Sequence, residues 1–233
     1  MNKKLVIIIN GAGTNGGELK SLYKKLALNE NYFVYYPSLL PGSFVGDYIK
    51  QAKIIDFKKF IKRTLEIINE DFENVYVIGY SLGASTAAIL ASKSEKVTKL
   101  VLISPVLKNP NFRKFFVGLG KTLKHSTDLT RIQKIFYNEF LHRFALIPKI
   151  KLITIEIYLK YSRNFIKKVK TKTLIVETLK DEVVKKSAID WIIDVMPSND
   201  VTRFQIDSSH FLFFDRSHRN QIFDAITTFL EEE

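Results

Sequence analysis

The chain has 233 residues, 46% of them hydrophobic, no cysteine and a formal charge of +12. Such a composition can bury one sizeable core and is not that of a disordered chain. The missing cysteine excludes disulfides, a thiolate nucleophile and zinc–thiolate sites. No apolar run reaches the roughly 18 residues of a membrane span.

The N-terminus is the first ambiguous stretch. Met1–Lys4 is basic and Leu5–Ile9 is apolar, but the apolar run falls short of the roughly 7–15 residues of a secretory leader. It reads better as a buried parallel strand. With no leader expected, the expected location is cytoplasmic.

Strand-like runs follow at Phe33–Tyr36, Val75–Ile78, Leu100–Ile103, Leu174–Val176 and Val201–Ile206. Several are near-continuous Val/Ile/Leu, as in parallel strands covered on both faces. Helical patterns lie between them: Leu19, Leu22, Tyr23 and Leu26; Phe57, Phe60, Ile61, Leu65 and Ile68; Ala188, Trp191, Ile192 and Val195; Ile222, Ala225, Ile226 and Phe229. This alternation predicts an α/β fold with a mostly parallel sheet of six strands.

Residues 105–170 break the rhythm. They carry 15 Lys+Arg against 3 Asp+Glu, so the whole basic excess lies there and the rest of the chain is neutral. The segment reads as several helices without a strand, a helical cap at 105–170 inserted into a core formed by 1–104 and 171–233.

Gly79-Tyr80-Ser81-Leu82-Gly83 matches G-x-S-x-G between an apolar strand and the small-residue helical stretch Ala84–Ala91. This context makes a sharp strand-to-helix turn that presents the serine at the end of a sheet. The bare five-residue string arises by chance, and the bland alternative is a β-to-α turn that happens to hold serine.

From Gly79–Gly83, and from Leu102-Ile103-Ser104-Pro105 closing the next strand, the chain is identified as a member of the α/β-hydrolase superfamily. It resembles small bacterial carboxylesterases and monoacylglycerol-lipase-like serine hydrolases. The resemblance implies a cap between the fourth and fifth strands and the order Ser–Asp–His.

A serine hydroxyl needs a base, and the base needs an orienting acid. Of four histidines, His125 and His142 lie in the insertion and His218 in Arg216–Arg219. His210 follows the strand Val201–Ile206, at the sheet edge where sites form in open α/β folds, and resembles the family's histidine loop. Asp181 follows the strand Thr173–Val176, 29 residues before His210 and 100 after Ser81. It resembles the family aspartate, although an aspartate there can also cap the helix beginning near Val184. Asp207 and, more weakly, Glu182 are rival acids.

The resemblance also implies an oxyanion hole from the backbone N–H groups of Ala12 and Leu82. The chain departs from relatives at Asn10, where histidine is usual, and at Glu177-Thr178, where relatives often have histidine and glycine. Gly11, Gly13 and Gly16 fit G-x-G-x-x-G, but no acid ends the next strand, Tyr35-Tyr36-Pro37, so a dinucleotide site is disfavoured. No Walker motif or zinc-ligand cluster occurs, and no cofactor or metal is implied.

In the insertion Phe112, Phe115, Phe116, Phe136, Tyr137, Phe140, Phe144, Tyr158, Tyr161 and Phe165 interleave with Lys and Arg. An acyl-binding cap whose basic face meets anionic lipid or a membrane surface is one reading. Cap core with a solvated basic face is the plainer one. No motif supports nucleic-acid binding. The expected activity is cleavage of a carboxylic ester with an apolar acyl chain, such as a monoglyceride or lysolipid. Thioesterase, acyltransferase, peptidase and carbon–carbon hydrolase chemistry stay open on the same residues, as does a non-catalytic lipid- or ligand-binding protein.

Overall fold

The computed structural model describes residues 3–11, 19–37, 54–108, 110–111, 114, 117, 120–121, 124, 149–214 and 216–232. Six strands form one sheet: β1 (Lys4–Ile9), β2 (Tyr32–Tyr35), β3 (Val75–Tyr80), β4 (Val97–Ile103), β5 (Lys172–Thr178) and β6 (Val201–Ile206). All pair in parallel, in the order β2-β1-β3-β4-β5-β6. The predicted strands are all present, with bounds moved by one to three residues at most of their ends.

Helices cover both faces, which is why the central strands are apolar almost throughout. Leu5, Ile7, Val75, Val77, Leu100, Leu102 and Ile175 point to one face, and Val6, Ile8, Ile78, Val101, Ile103 and Val176 to the other. The first face meets α2 (Ile54–Ile68), α3 (Leu82–Lys93), α4 (Lys149–Ile166) and α5 (Lys186–Val195), counted after α1 (Lys20–Ala27). The second meets α1 and α6 (Arg216–Glu231). The edge strand β6 reads Val-Thr-Arg-Phe-Gln-Ile and is only partly buried, as an edge position allows.

Helix α4 holds most of the described residues of the basic insertion. Ile155, Tyr158, Leu159 and Ile166 are buried in the core that α3 shares. Tyr158 stacks on Phe57 at 4.2 Å between centroids, and its hydroxyl bonds that of Thr86 at 2.6 Å. That hydroxyl pair satisfies two buried polar groups between α3 and α4.

The strand order reverses between β1 and β3. In a parallel sheet a crevice opens at such a point, beyond the carboxyl ends of the strands. Asn10 and Gly11 after β1 and Ser81 after β3 stand on its two sides.

Candidate active site

The turn at Ser81 is set by two glycines. A Cβ on Gly79 would lie 2.6 Å from Ala84 Cα, and one on Gly83 would lie 2.3 Å from the Asn10 carbonyl oxygen. Only hydrogen fits at either place, so α3 crosses closely over β3 and the loop after β1. Ser81 itself takes φ 54° and ψ −119°, a strained backbone that costs about 1–3 kcal/mol. Three main-chain bonds hold it: its N–H donates to Ile103 O at 2.9 Å, and its carbonyl accepts from Ala84 N at 3.1 Å and Val106 N at 3.2 Å.

Three of the residues singled out in the sequence meet here. Ser81 Oγ lies 2.9 Å from His210 Nε2, and His210 Nδ1 lies 2.9 Å from Asp181 Oδ2. His210 is fully buried, Ser81 is buried, and the Asp181 side chain is nearly so. Burial pushes the Asp181 carboxyl up. The facing His210, the bonds from His210 and Thr178, and the Val184 amide together outweigh burial and hold it below its ordinary 3.8.

An ionised carboxylate only accepts hydrogen bonds. Nδ1 of His210 therefore carries the proton that Asp181 accepts. In the neutral ring this leaves the Nε2 lone pair to accept from the Ser81 hydroxyl. The arrangement can remove a proton from Ser81 and stabilise the imidazolium that results.

The two roles weighed for Asp181 turn out to use different oxygens. Oδ1 accepts from the N–H groups of Val183 at 2.8 Å and Val184 at 2.7 Å, ordering the turn ahead of α5. Oδ2 faces His210. The helix begins at Lys186, two residues later than expected.

Neither rival acid bonds the His210 ring in place of Asp181. Asp207 pairs with Lys180 at 2.7 Å on the surface. Glu182 accepts from the main-chain N–H of His210 at 3.2 Å. His218 lies within α6, while His125 and His142 lie outside the described residues.

Sequence reading missed the supports of His210. The Tyr80 hydroxyl donates to its carbonyl at 2.8 Å, and the Tyr80 ring stacks on the imidazole at 5.7 Å and 27°. Tyr80 is one of the two variable residues inside Gly79–Gly83, and its position before Ser81 was the one available signal. Thr178 donates to Asp181 Oδ2 at 2.6 Å.

At the neighbouring departure, Glu177 accepts from Arg203 Nε at 2.6 Å and Gln205 Nε2 at 2.7 Å. Burial raises its carboxyl, but these bonds and the Arg203 charge bring it below the ordinary range. Arg203 also reaches Asp190 at 3.0 Å, so Glu177 joins β5, β6 and α5.

Asn10 is braced too. Its Oδ1 accepts a hydrogen bond from the hydroxyl of Tyr36, the residue after β2. The N–H of Leu82 begins α3 directly behind Ser81. The other expected oxyanion donor, Ala12, lies outside the described residues. Among the described residues there is no cluster of three His, Asp or Glu side chains that could hold a metal. Likewise no helix among them is long and apolar enough to cross a membrane.

Comparison with known proteins points the same way. The chain is similar over its full length to a metagenome-derived lipolytic enzyme of the LipS and LipT pair. That match has a TM-score of 0.76 at 14% identity and covers 99% of this chain and 95% of the other. The monoacylglycerol lipase of Paleococcus ferrophilus matches with a TM-score of 0.67 at 19% identity, covering 97% and 93%. At these identities the likeness is one of fold, and the fold is that of the α/β-hydrolases. A Mycoplasma genitalium protein named as an esterase/lipase is 28% identical over 107 residues, a match that spans 45% of this chain and 37% of that protein's length. The family model described as serine hydrolase (FSH1) matches residues 30–222. With most of the chain inside that match, and a serine, a histidine and an aspartate joined at the sheet's carboxyl edge, this protein belongs to the FSH1 serine hydrolase family.

Proposed function

We propose that this hydrolase cleaves a carboxylic ester through an acyl-enzyme on Ser81. The observation that carries the reading is the unbroken hydrogen-bonded line from Ser81 Oγ through the His210 ring to Asp181 Oδ2. Ser81 Oγ attacks the ester carbonyl carbon while Nε2 of His210 takes the hydroxyl proton. The tetrahedral intermediate collapses, the carbon–oxygen bond to the alcohol breaks, and the imidazolium returns the proton to the leaving oxygen. Water then repeats the sequence against the acyl-enzyme and releases the acid. Asp181 orients the ring and stabilises its charge without taking the proton. The N–H of Leu82, with that of Ala12, is the proposed oxyanion hole. Each such donor is worth about 3–4 kcal/mol in other enzymes.

We assign residues 105–170 as a cap over the acyl site, its last helix α4 joining the helical layer of the core. The aromatic content of that segment favours an apolar acyl chain, with a monoglyceride or lysolipid as the substrate class. The names of the lipolytic and monoacylglycerol-lipase neighbours agree with it. The basic excess of 105–170 suits an anionic lipid surface as the place where such a substrate is met.

A panel of p-nitrophenyl esters from acetate to laurate tests the reading. The expected result is a burst of about one p-nitrophenol per chain, an acyl adduct on Ser81, and a rate that rises with chain length. Ser81→Ala should lower kcat on the order of 10⁴-fold or more. Full activity in Ser81→Ala would overturn it.

A further inference from the structure

Asp181 reaches His210 with only one of its oxygens, and that oxygen has a second donor. Thr178 Oγ1 donates to Oδ2 at 2.6 Å. Its proton is thereby committed, because the carboxylate can only accept. The contact between Ser104 Oγ and Thr178 Oγ1 at 2.9 Å must then run from Ser104 to Thr178. Two hydroxyls in line, Ser104 to Thr178 to Asp181, lead into the same oxygen that accepts from His210. Ser104 and Thr178 are both buried.

Ser104 is one of two non-glycine residues with positive φ among the described residues, at 42°; the other is Ser81. The main chain at Ser104 is fixed by its N–H donating to Val176 O at 2.9 Å. A left-handed serine at a strand end is unfavourable unless its surroundings require it. Here it directs the hydroxyl across from β4 to Thr178 at the end of β5.

We propose that Thr178, backed by Ser104, is a positioning residue that holds Asp181 Oδ2 toward His210. The proposal rests on the reading of Ser81, Asp181 and His210 given above. The two amides of Val183 and Val184 anchor Oδ1, and the Thr178 hydroxyl fixes the plane by holding the other oxygen. It is also the second donor to Oδ2, which the His210 ring would otherwise face alone. The charged and titratable groups around this pair are Glu182 on the His210 main chain, Tyr80 stacked on the ring, and Glu177, Lys185 and Lys186, which border the same cavity as Asp181.

The choice of substitution follows from the space nearby. A cavity of about 110 Å³ is bordered by Ser104, Thr178, Asp181 and Lys185. A smaller side chain at 178 would admit water, which could replace the lost donor. Valine keeps the volume of threonine and removes only the hydroxyl's proton and lone pairs.

The experiment follows Asp181 directly, by carboxyl-¹³C NMR of the whole chain across pH, beside the rate at which a fluorophosphonate labels Ser81. In Thr178→Val the Asp181 titration should move up by roughly one pH unit, one donor to the charged form having been lost. The labelling rate should fall about tenfold, the size of one charge-assisted hydrogen bond. Thr178→Ser restores the hydroxyl and should keep both near wild type, while Ser104→Ala should shift both in the same direction by less. A folded Thr178→Val with wild-type titration and labelling would overturn the proposal, as would a Thr178→Ser as impaired as the valine variant. If wild-type Ser81 takes no label while Thr178→Val still shifts Asp181, the hold on the carboxylate is supported and the reading of Ser81 as nucleophile is what fails.

Discussion

Glu182 accepts a hydrogen bond from the main-chain N–H of His210 at 3.2 Å, while the residue before it, Asp181, meets the His210 ring at 2.9 Å. Two adjacent acids thus hold one histidine, one by its main chain and the other by its side chain. Glu182→Ala should loosen the loop without removing Asp181. The expected effect is a fall in kcat of roughly tenfold with KM little changed, the loss of one hydrogen bond to a charged acceptor. Glu182→Gln keeps an acceptor oxygen and should recover most of the rate. Steady-state kinetics on one ester compares all three.

Gly83 has no room for a side chain, since a Cβ there would sit 2.3 Å from Asn10 O and 2.4 Å from Ile9 O. Both neighbours are backbone at the end of a central strand, so neither can give way cheaply. Gly83→Ala should destabilise the chain by more than about 3 kcal/mol, beyond the usual range for overpacking. Urea unfolding reads this as a lower midpoint or as failure to fold.

The depressed carboxyl of Asp181 has a consequence for acid stability. Its folded value lies below the ordinary 3.8, so the folded state prefers the ionised form. That contribution is fully present above the unfolded value and is lost as pH falls through the folded one. The stability of wild type relative to Asp181→Asn should therefore be constant near neutrality and decline below about pH 4. Chemical unfolding of both proteins at a series of pH values measures the difference. A difference that stays flat into the acid range would contradict the account.

Lys99 is a charged residue inside a central strand, yet it is only 6% exposed. Its ammonium donates to the carbonyls of Phe229 at 3.0 Å and Leu230 at 3.1 Å, and to that of Glu232. These are carbonyls at the end of α6, which no further turn of helix can satisfy. Lys99→Met should cost about 1–3 kcal/mol of stability by leaving them without this donor. The Ser81 labelling rate should stay at the wild-type level, because Lys99 lies toward the opposite end of β4 from Ser104.

The same lysine shows where the sequence misleads. The apolar run predicts a fourth strand from Leu100, but pairing starts at Val97. A lysine reads as a strand boundary until the carbonyls of a helix more than a hundred residues away are known to receive it. The buried runs were legible because a parallel strand covered on both faces has no polar face to confuse the pattern. Ser81 was legible because its turn demands glycine at fixed offsets, and His210 and Asp181 because they follow strands. Ser104, Thr178 and Tyr80 were not legible as supports. The Ser104–Thr178 contact exists only once β4 and β5 pair from Lys99–Lys172 to Ile103–Val176, which brings side chains 74 positions apart within reach, and Tyr80 meets His210 across 130 positions. Nothing local in a hydroxyl residue distinguishes that role from an ordinary cap.

The most direct test of the account is fluorophosphonate labelling with peptide mapping, on wild type and on His210→Ala. One covalent adduct is expected, on Ser81, formed at least about 100-fold more slowly in His210→Ala, the usual contribution of a positioned base. An adduct on another residue, or labelling of Ser81 that is indifferent to His210→Ala, would contradict it.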